Sequence, residues 1–328
     1  MEIYRQSDLA PGDRISVSRE GNITTYTLSN ASGSGTVESH ELFCGTLLLF
    51  DDMHMDTFGE GGSDAGGFIV EHCRFGRFEG SFCDGRQFFL GAGDVCVHHM
   101  VDRKVFSSRF PTRHYHGITL IFDLPQGAFA DFLRFSGIDF SSLTAKYLSK
   151  DISCVIRANE RACRIFSDLY GAREKKDAGY FRLKVTELLH FLQDFSPAGN
   201  EAKTHTLPAD VVRAMKEAEE YLWSDFSAPH TVRSLSAKFG FSPTSFKNYF
   251  KTVFGYPVHE YIFTCRMQLA QYDLVTSDKK IAAVARGAGY RNVSKFSDAF
   301  KRFSGVSPRE YRKNKTLSEW SILMPSRG

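Results

Sequence analysis

The stretch Phe250-Lys-Thr-Val-Phe-Gly-Tyr-Pro-Val-His-Glu-Tyr261 returns fifty residues later as Phe300-Lys-Arg-Phe-Ser-Gly-Val-Ser-Pro-Arg-Glu-Tyr311. Both copies follow the pattern Phe-Lys-x-x-x-Gly-x-x-x-x-Glu-Tyr, and a repeat with this period indicates a duplicated structural unit. Apolar residues and a glycine precede each copy: Val232, Leu235 and Gly240 before the first, and Ile281, Val284 and Gly289 before the second. Each unit is therefore predicted to contain a helix, a tight turn and a second helix, as in helix-turn-helix DNA-binding units.

The charge is distributed unevenly along the chain. Its 328 residues carry a net charge of only +3, and this length is sufficient for two domains. From residue 230 to the end there are 17 Lys plus Arg against 6 Asp plus Glu, whereas the preceding part has 24 against 32. A basic C-terminal part on an acidic N-terminal part predicts nucleic-acid contact at one end.

The cysteines and the apolar runs bear on the cellular compartment. Seven scattered cysteines without a Cys-x-x-Cys pair favour neither a disulfide framework nor a zinc ribbon. The first residues lack the apolar core of a signal peptide, and no run of about 18 apolar residues occurs. We therefore expect a soluble cytoplasmic protein.

Residues 41–125 consist of short apolar or alternating runs, which predict an all-β sandwich or barrel. A hairpin is expected at Asp84-Gly85 and a turn at Gly91–Asp94, because glycine tolerates positive φ. The predicted strands are Leu42–Phe50, Gly67–His72, Gly76–Phe82, Arg86–Leu90, Val95–His99 and Gly117–Asp123.

Helical spacing follows over residues 126–195. Phe181, Val185, Leu188 and Leu192 line one stripe of a helix, and a second helix is predicted over 152–170. The stripe fits either the core of the chain or a homodimer contact. Residues 196–207 are polar and lack periodicity. They include Pro197 and are followed by Pro208, so they are predicted to be a linker.

In the first repeated unit, Thr231 and Ser242 are expected to cap two helices that are separated by a turn at Gly240. Phe246 and Phe250 then point inward on the second helix. The outward side chains near its N-terminus are those that would contact base edges: Thr244, Ser245, Lys247 and Asn248.

The second repeated unit presents Ser294, Lys295 and Asp298 in the same way, with Arg291 and Asn292 at the helix entrance. A continuous helix over Val258–Leu274 is predicted to join the units. Phosphate contacts would position the protein without reading sequence, and the candidates for them are Lys251, Arg291, Lys301 and Arg302.

The C-terminal part resembles the DNA-binding domain of the AraC/XylS family of bacterial transcription regulators. The resemblance covers residues 208–314 and is carried by Ile281-Ala-Ala-Val-Ala-Arg-Gly-Ala-Gly-Tyr290 and by Phe296–Arg312. It implies a seven-helix bipartite domain that binds asymmetric DNA sites near promoters and often contacts RNA polymerase. Two residues depart from the family pattern: Ser236 replaces a frequent Ala, and Asp298 replaces a frequent Arg.

The resemblance also implies that residues 1–195 form a cupin-like β-barrel with trailing helices that bind a small-molecule effector and dimerise. The fold class is then α+β in two domains, followed by a tail at 315–328. The expected function is that of a ligand-responsive activator without catalytic residues or a cofactor. Effector contacts are not identifiable from the sequence, since Glu71, His72, Arg74 and Arg86 fit solvated strand ends better.

Two other functions fit parts of the sequence. His114 and His116 share a strand face and could hold a metal, which suggests a cupin-type metalloenzyme with an accessory DNA-binding module. Such a site usually has a carboxylate three or four residues later, where this chain has Thr119 and Leu120, so no metal site is assigned. A non-specific architectural DNA binder is disfavoured by the sensor-sized N-terminal half.

Overall fold

A computed structural model describes residues 4, 9–60, 67–81, 87–100, 107–123, 127–148, 154–196, 207–224 and 227–313. The chain forms two compact units, Met1–Ala202 and Lys203–Gly328. The division falls within the predicted linker, whose residues 197–206 lie outside the described part, as does the tail. None of the helices in the described ranges combines the length and the apolar character needed to span a bilayer.

The N-terminal unit contains two antiparallel sheets. The larger has the order β1-β2-β3-β4-β11-β6-β9-β12 and the smaller β5-β10-β7-β8. The strands described are β1 Arg14–Glu20, β2 Ile23–Asn30, β3 Gly33–Phe43, β4 Thr46–His54, β5 Thr57–Glu60, β6 Gly67–Phe75, β7 Arg77–Ser81, β8 Gln87–Gly91, β9 Val95–Met100, β10 Ser107–Arg109, β11 Tyr115–Phe122 and β12 Cys154–Ile156.

The sheets pack face to face as a sandwich. Their shared core includes Leu49 and Met53 from the larger sheet and Phe78, Phe88 and Leu90 from the smaller. The prediction of a closed barrel is wrong for the described strands, because the larger sheet ends at β1 and β12 instead of closing on itself. The sandwich alternative is the one the chain adopts.

The strand predictions were incomplete at two places. Leu42–Phe50 is split by a turn at Cys44-Gly45, where Gly45 has a φ of +80°. The sheet also begins at Arg14, well before residue 41, because β1 and β2 are rich in Ser and Thr and pair through their backbones along their whole length. The predicted Gly91–Asp94 turn is present, with the Asp94 amide donating to Gly91 O at 3.0 Å. The Asp84-Gly85 hairpin lies outside the described residues.

The N-terminal unit also has four described α-helices. Two lie between β11 and β12, and two follow β12: α1 Gly127–Phe135, α2 Phe140–Leu148, α3 Glu160–Ala172 and α4 Ala178–Asp194. The prediction of one helix over 152–170 is wrong at its start. Cys154–Ile156 pairs with β9 as a strand, and Asn159 caps α3 by accepting from the Ala162 amide. β-branched Val155 and Ile156 favour this extended start.

Helix α4 shows that the predicted apolar stripe belongs to the core of the chain. Phe181, Val185, Leu188 and Leu192 are at most 1% exposed. They pack with α3 against the outer face of the larger sheet, in a cluster that includes Leu48, Phe50, Leu120 and Phe166. The stripe is therefore buried without a second copy of the chain.

The C-terminal unit is all helical. Its seven described helices agree with the expected number: α5 Ala209–Ser224, α6 Val232–Lys238, α7 Pro243–Phe254, α8 Val258–Thr276, α9 Ile281–Gly287, α10 Val293–Ser304 and α11 Pro308–Lys313. In helix α8, buried side chains occur on several sides instead of on one stripe. This is the pattern of a helix covered by neighbours on more than one face.

The two copies of the motif form the same contacts. Phe250 meets Tyr261 edge to face at 5.2 Å between ring centroids, and Phe300 meets Tyr311 at 5.3 Å, both with an interplanar angle of 85°. Gly255 and Gly305 end α7 and α10 with φ values of 78° and 77°. The repeat therefore encodes a helix end and the aromatic contact that follows it.

The turns inside the two units generate a matched stability prediction. Gly240 and Gly289 both have positive φ, but a Cβ on Gly240 meets no atom within 4 Å, whereas one on Gly289 would lie 2.8 Å from Arg266 Cζ. Gly240→Ala should lower the free energy of unfolding by about 1–2 kcal/mol through backbone strain alone. Gly289→Ala should lower it by about the same amount, because the guanidinium of Arg266 is at the end of a flexible side chain and can move aside. A much lower urea midpoint for Gly289→Ala would show that the hydrogen bond from Arg266 to Ala228 O holds the guanidinium in place.

Candidate nucleic-acid interface and buried pocket

Helix α7 separates an inner aromatic face from an outer polar face. Phe246 and Phe250 are fully buried, while Thr244, Lys247 and Asn248 are exposed and Ser245 is half-buried. Ser242 caps the helix, its hydroxyl accepting from the Ser245 amide at 3.0 Å, and Pro243 follows at the first helical position. The four predicted base-contacting residues thus lie in the first turns of a well-defined helix.

Helix α10 repeats this arrangement with different polar residues. Phe296 and Phe300 are fully buried, and Ser294, Lys295 and Asp298 are exposed. Asn292, predicted at the helix entrance, is the N-cap, and its side chain accepts from the Lys295 amide at 3.0 Å. Its side-chain oxygen therefore has a structural role in addition to any contact with DNA.

The charged residues beside these faces are accessible. The predicted phosphate-contacting cations Lys251, Arg291, Lys301 and Arg302 are all exposed. Within the described part of the chain, Asp298 forms no ion pair with Lys295 or Arg302. Ser236 fits in place of the frequent Ala, since it is 2% exposed and donates to Arg233 O at 3.2 Å.

A sequence profile for a helix-turn-helix domain matches residues 235–314. Curated relatives of the chain include two proteins named as putative AraC-like transcription regulators. Residues 235–314 form an AraC-type helix-turn-helix domain. The family resemblance read from the repeated motif is thereby confirmed for this part of the chain.

The sequence similarity to individual curated relatives covers less than half of the chain. The raffinose operon regulatory protein RafR of Pediococcus pentosaceus is 32% identical over 97 residues, which are 30% of this chain and 35% of RafR. A putative AraC-like regulator of Streptomyces antibioticus is 29% identical over 132 residues, 40% of this chain and 44% of the relative. The chain thus spans less than half the length of these relatives.

Solved structures are also similar to the chain, at low TM-scores. The DNA-binding domain of AdpA, solved with a target DNA, is 27% identical and covers 31% of this chain and 91% of its own, with a TM-score of 0.30. Fatty-acid-bound ToxT of Vibrio cholerae is 14% identical and covers 83% of this chain and 96% of its own, with a TM-score of 0.34.

The N-terminal unit contains a partly open cavity of about 110 Å³ between its two sheets. Most of its lining is apolar, including Leu49, Met53, Phe58, Tyr115 and Ile121. Two carboxylates, Asp51 and Glu71, also face it, so the cavity combines an apolar wall with a small acidic region. The interpretation of Glu71 as a solvated strand end is wrong, because it is 6% exposed.

Burial controls the chemistry of Asp51. Removal from water raises the pKa of its carboxyl to about 7, and Glu71 adds to the rise, while Thr119 opposes it by donating to Asp51 Oδ2 at 2.7 Å. His72, also predicted at a solvated strand end, is buried and stacks on Phe166 at 4.2 Å. Arg74 lies over the Tyr170 ring at 4.1 Å, and Arg86 is outside the described residues.

A group of histidines lies on the outer face of the larger sheet. The His114 and His54 Nδ1 atoms are 3.0 Å apart, and the His116 and His114 Nε2 atoms are 3.1 Å apart. Burial lowers the pKa of His114 far below the usual range and that of His116 to about 4. The neutral imidazole is therefore the favoured form of both side chains near neutral pH.

Sequence reasoning found the pair His114 and His116 but missed His54 and Asp52, which lie on a different strand. The strand register is what brings them together, since His116 is paired with Asp52 across β11 and β4. The alternation Asp52-x-His54 places both side chains on one face of β4, but local spacing in the sequence does not show that β11 is the neighbouring strand. Asp51 was missed because neighbouring Asp51 and Asp52 look equivalent until the faces of the strand are assigned.

The raised pKa of Asp51 predicts how stability depends on pH. The folded chain holds a proton on this carboxyl up to about pH 7, whereas in the unfolded chain it titrates near about 4. The free energy of unfolding contributed by Asp51 should then fall as pH rises from about 4 to 7, by no more than about 4 kcal/mol.

Urea unfolding of the full chain at pH 5 and 7.5 checks this expectation. Asp51→Asn should remove this part of the pH dependence, so its stability relative to the wild type should be higher at pH 7.5 than at pH 5. Asp298→Asn, at an exposed position, is the control and should follow the wild type. Parallel curves for wild type and Asp51→Asn would contradict a buried, proton-holding Asp51.

Proposed function

We propose that the chain is a sequence-specific DNA-binding transcription regulator that reads two successive major grooves with α7 and α10. The observation that carries the proposal is the duplication: two capped helices with matched aromatic cores each expose polar side chains in their first turns. Recognition helices of helix-turn-helix proteins contact base edges with these turns. The basic charge of the C-terminal part supports the same assignment.

Helix α8 supports a defined spacing between the two reading helices. Its 19 residues extend over about 28 Å at 1.5 Å per residue. Its first half contacts α7 through Tyr261, and its second half packs with the second unit through Met267, Ala270 and Leu274. This length is comparable with the ~34 Å turn of B-DNA, so both helices can enter grooves on one side of the duplex.

The two reading faces would recognise unlike half-sites. In α7, Asn248 can pair with adenine and Lys247 can donate to guanine, with Thr244 and Ser245 beside them. In α10, the neutral Ser294 hydroxyl and the cationic Lys295 ammonium can donate hydrogen bonds, whereas Asp298 can accept one from a cytosine amino group. A single chain would therefore bind one asymmetric DNA site, with Lys251, Arg291, Lys301 and Arg302 on phosphates.

The N-terminal unit would act as a cupin-like sensing domain that makes the regulator a ligand-responsive activator, with RNA polymerase as a further partner. The cavity between its sheets supports an effector that is small and largely apolar. Asp51 and Glu71, the latter with His98 Nε2 3.2 Å from its carboxylate, favour an effector that carries a polar group able to hydrogen-bond with them. A homodimer through the helices at 152–195 would include exposed apolar side chains of α4, such as Tyr180 and Leu183, which are 37% and 67% exposed.

A metalloenzyme with an accessory DNA-binding module fits the chain less well. The aligned curated relatives are named as regulators. The histidines that would hold a catalytic metal lie on the opposite sheet face from the cavity, because Asp52 and His116 alternate with the cavity-lining Met53 and Tyr115. We therefore assign no catalytic residues.

Replacement of a reading residue should change sequence preference. Lys247→Ala and Asn248→Ala are each expected to weaken binding to a selected DNA site by about 1–3 kcal/mol and to relax preference at one or two positions. The site is first obtained by selection from random duplexes with the full chain, and binding is then measured on all single-base variants. A uniform loss across these variants would identify phosphate contacts instead, and failure of the wild type to select any sequence would sink the proposal.

Replacement of a phosphate-contacting cation should have the opposite signature. Lys301→Ala and Arg302→Ala should weaken binding equally on all these duplexes and reduce the slope of log K against log salt by about 0.9 each. Arg134→Ala, in α1 of the N-terminal unit and paired only with nearby Asp131 in the described contacts, is the matched control. An unchanged salt slope in both variants would show that Lys301 and Arg302 do not contact DNA phosphates.

A further inference from the structure

Four polar side chains meet on the outer face of the larger sheet, where β4 ends and β11 begins. Asp52 and His54 are two residues apart on β4, and His116 lies directly opposite Asp52 on β11. His114 immediately precedes β11 and is two residues from His116. Because side chains two apart on a strand share a face, the register produces a square of one carboxylate and three imidazoles.

The imidazole nitrogens have a spacing suited to a metal ion. The three histidines can each offer one nitrogen so that all three lie within 4.8 Å of one another. The contacts of 3.0 and 3.1 Å are made through different nitrogens of His114, Nδ1 toward His54 and Nε2 toward His116. One ion can use only one of these nitrogens, and either contact is close to the roughly 3.3 Å that separates two nitrogens on a tetrahedral zinc ion with bonds of about 2.0–2.1 Å. The remaining imidazole must rotate to bring its nitrogen, which lies within 4.8 Å, to that distance.

Asp52 orients two of the imidazoles. Its Oδ1 lies 2.9 Å from His54 Nε2 and 3.3 Å from His116 Nδ1. A negative charge favours the proton on those two nitrogens. The lone pairs of His54 Nδ1 and His116 Nε2 then face His114, as in the carboxylate–histidine–metal arrangement of many zinc sites.

The surroundings are mixed in charge. Phe75 covers the site edge-on, 4.8 Å from His114 and 6.3 Å from His116, and limits access of water from that side. Arg74 and Arg173 disfavour a cation near His116. Their effect is reduced because Arg173 lies 3.4 Å from Glu38 and Arg74 lies over Tyr170.

We propose that His54, His114 and His116 bind one divalent transition-metal ion, with zinc as the best match. Asp52 holds the rings of His54 and His116, and one coordination position remains for water because His54 is 38% exposed. Three imidazoles suit zinc and its neighbours better than magnesium or calcium. The ion would tie β4 to the segment that precedes β11, next to the cavity-lining pair Met53 and Tyr115.

The test uses the full chain, stripped with a chelator and titrated with Zn²⁺ against a chromogenic competitor. We expect one ion per chain, and Co²⁺ in its place should show the intense visible bands of a tetrahedral site. His54→Ala and His116→Ala should each lower the affinity at least tenfold, and Asp52→Asn should lower it 10- to 100-fold. These positions are preferred to the buried His114, whose replacement endangers folding.

His259→Ala, at an exposed position of α8, is the matched control and should leave zinc binding unchanged. Circular dichroism of each variant before titration separates loss of the site from loss of the fold. No stoichiometric binding by the wild type would overturn the proposal. Retention of full affinity by the folded His54→Ala and His116→Ala variants would also overturn it, since the ion would then be bound elsewhere, for example by cysteines.

Discussion

The AraC-type domain depends on two edge-to-face contacts, each between a Phe of α7 or α10 and the Tyr that follows it eleven residues later. The contact can form only if the chain reverses sharply after the helix, and Gly255 and Gly305 make that reversal with left-handed backbone. Their amides donate to Lys251 O and Lys301 O at 2.8 Å and so satisfy the last carbonyls of each helix. Because the ring contact lies inside, the first turns of α7 and α10 face outward.

The first copy of the motif has an additional anchor in α5. Tyr261 donates to the carboxylate of Glu219 and accepts from Trp223 Nε1 at 3.2 Å, which joins α8 to α5. Tyr311 is only half-buried and follows a capping arrangement in which Ser307 and Glu310 bond to each other's backbone amides. The same motif therefore stabilises a central helix in one unit and a short terminal helix in the other.

The sequence was most informative where structure follows from near neighbours. The caps at Thr231 and Ser242, the turns at Gly240 and Gly289 and the inward Phe residues depend on contacts a few residues apart, and they were predicted correctly. The N-terminal unit was harder, because its strands pair across long separations. Cys154–Ile156 was mistaken for the start of a helix, since its pairing with β9 spans nearly sixty residues.

Neighbouring Asp51 and Asp52 have unlike surroundings because a strand alternates its faces. Asp51 borders the largely apolar cavity, and Asp52 borders the imidazoles of His54 and His116. Inserting or deleting one residue in β4 would exchange these two environments, turning His54 toward the cavity and Met53 toward the outer face of the sheet. Homologues that keep both features should therefore vary here by substitution, and changes in strand length should come in steps of two residues.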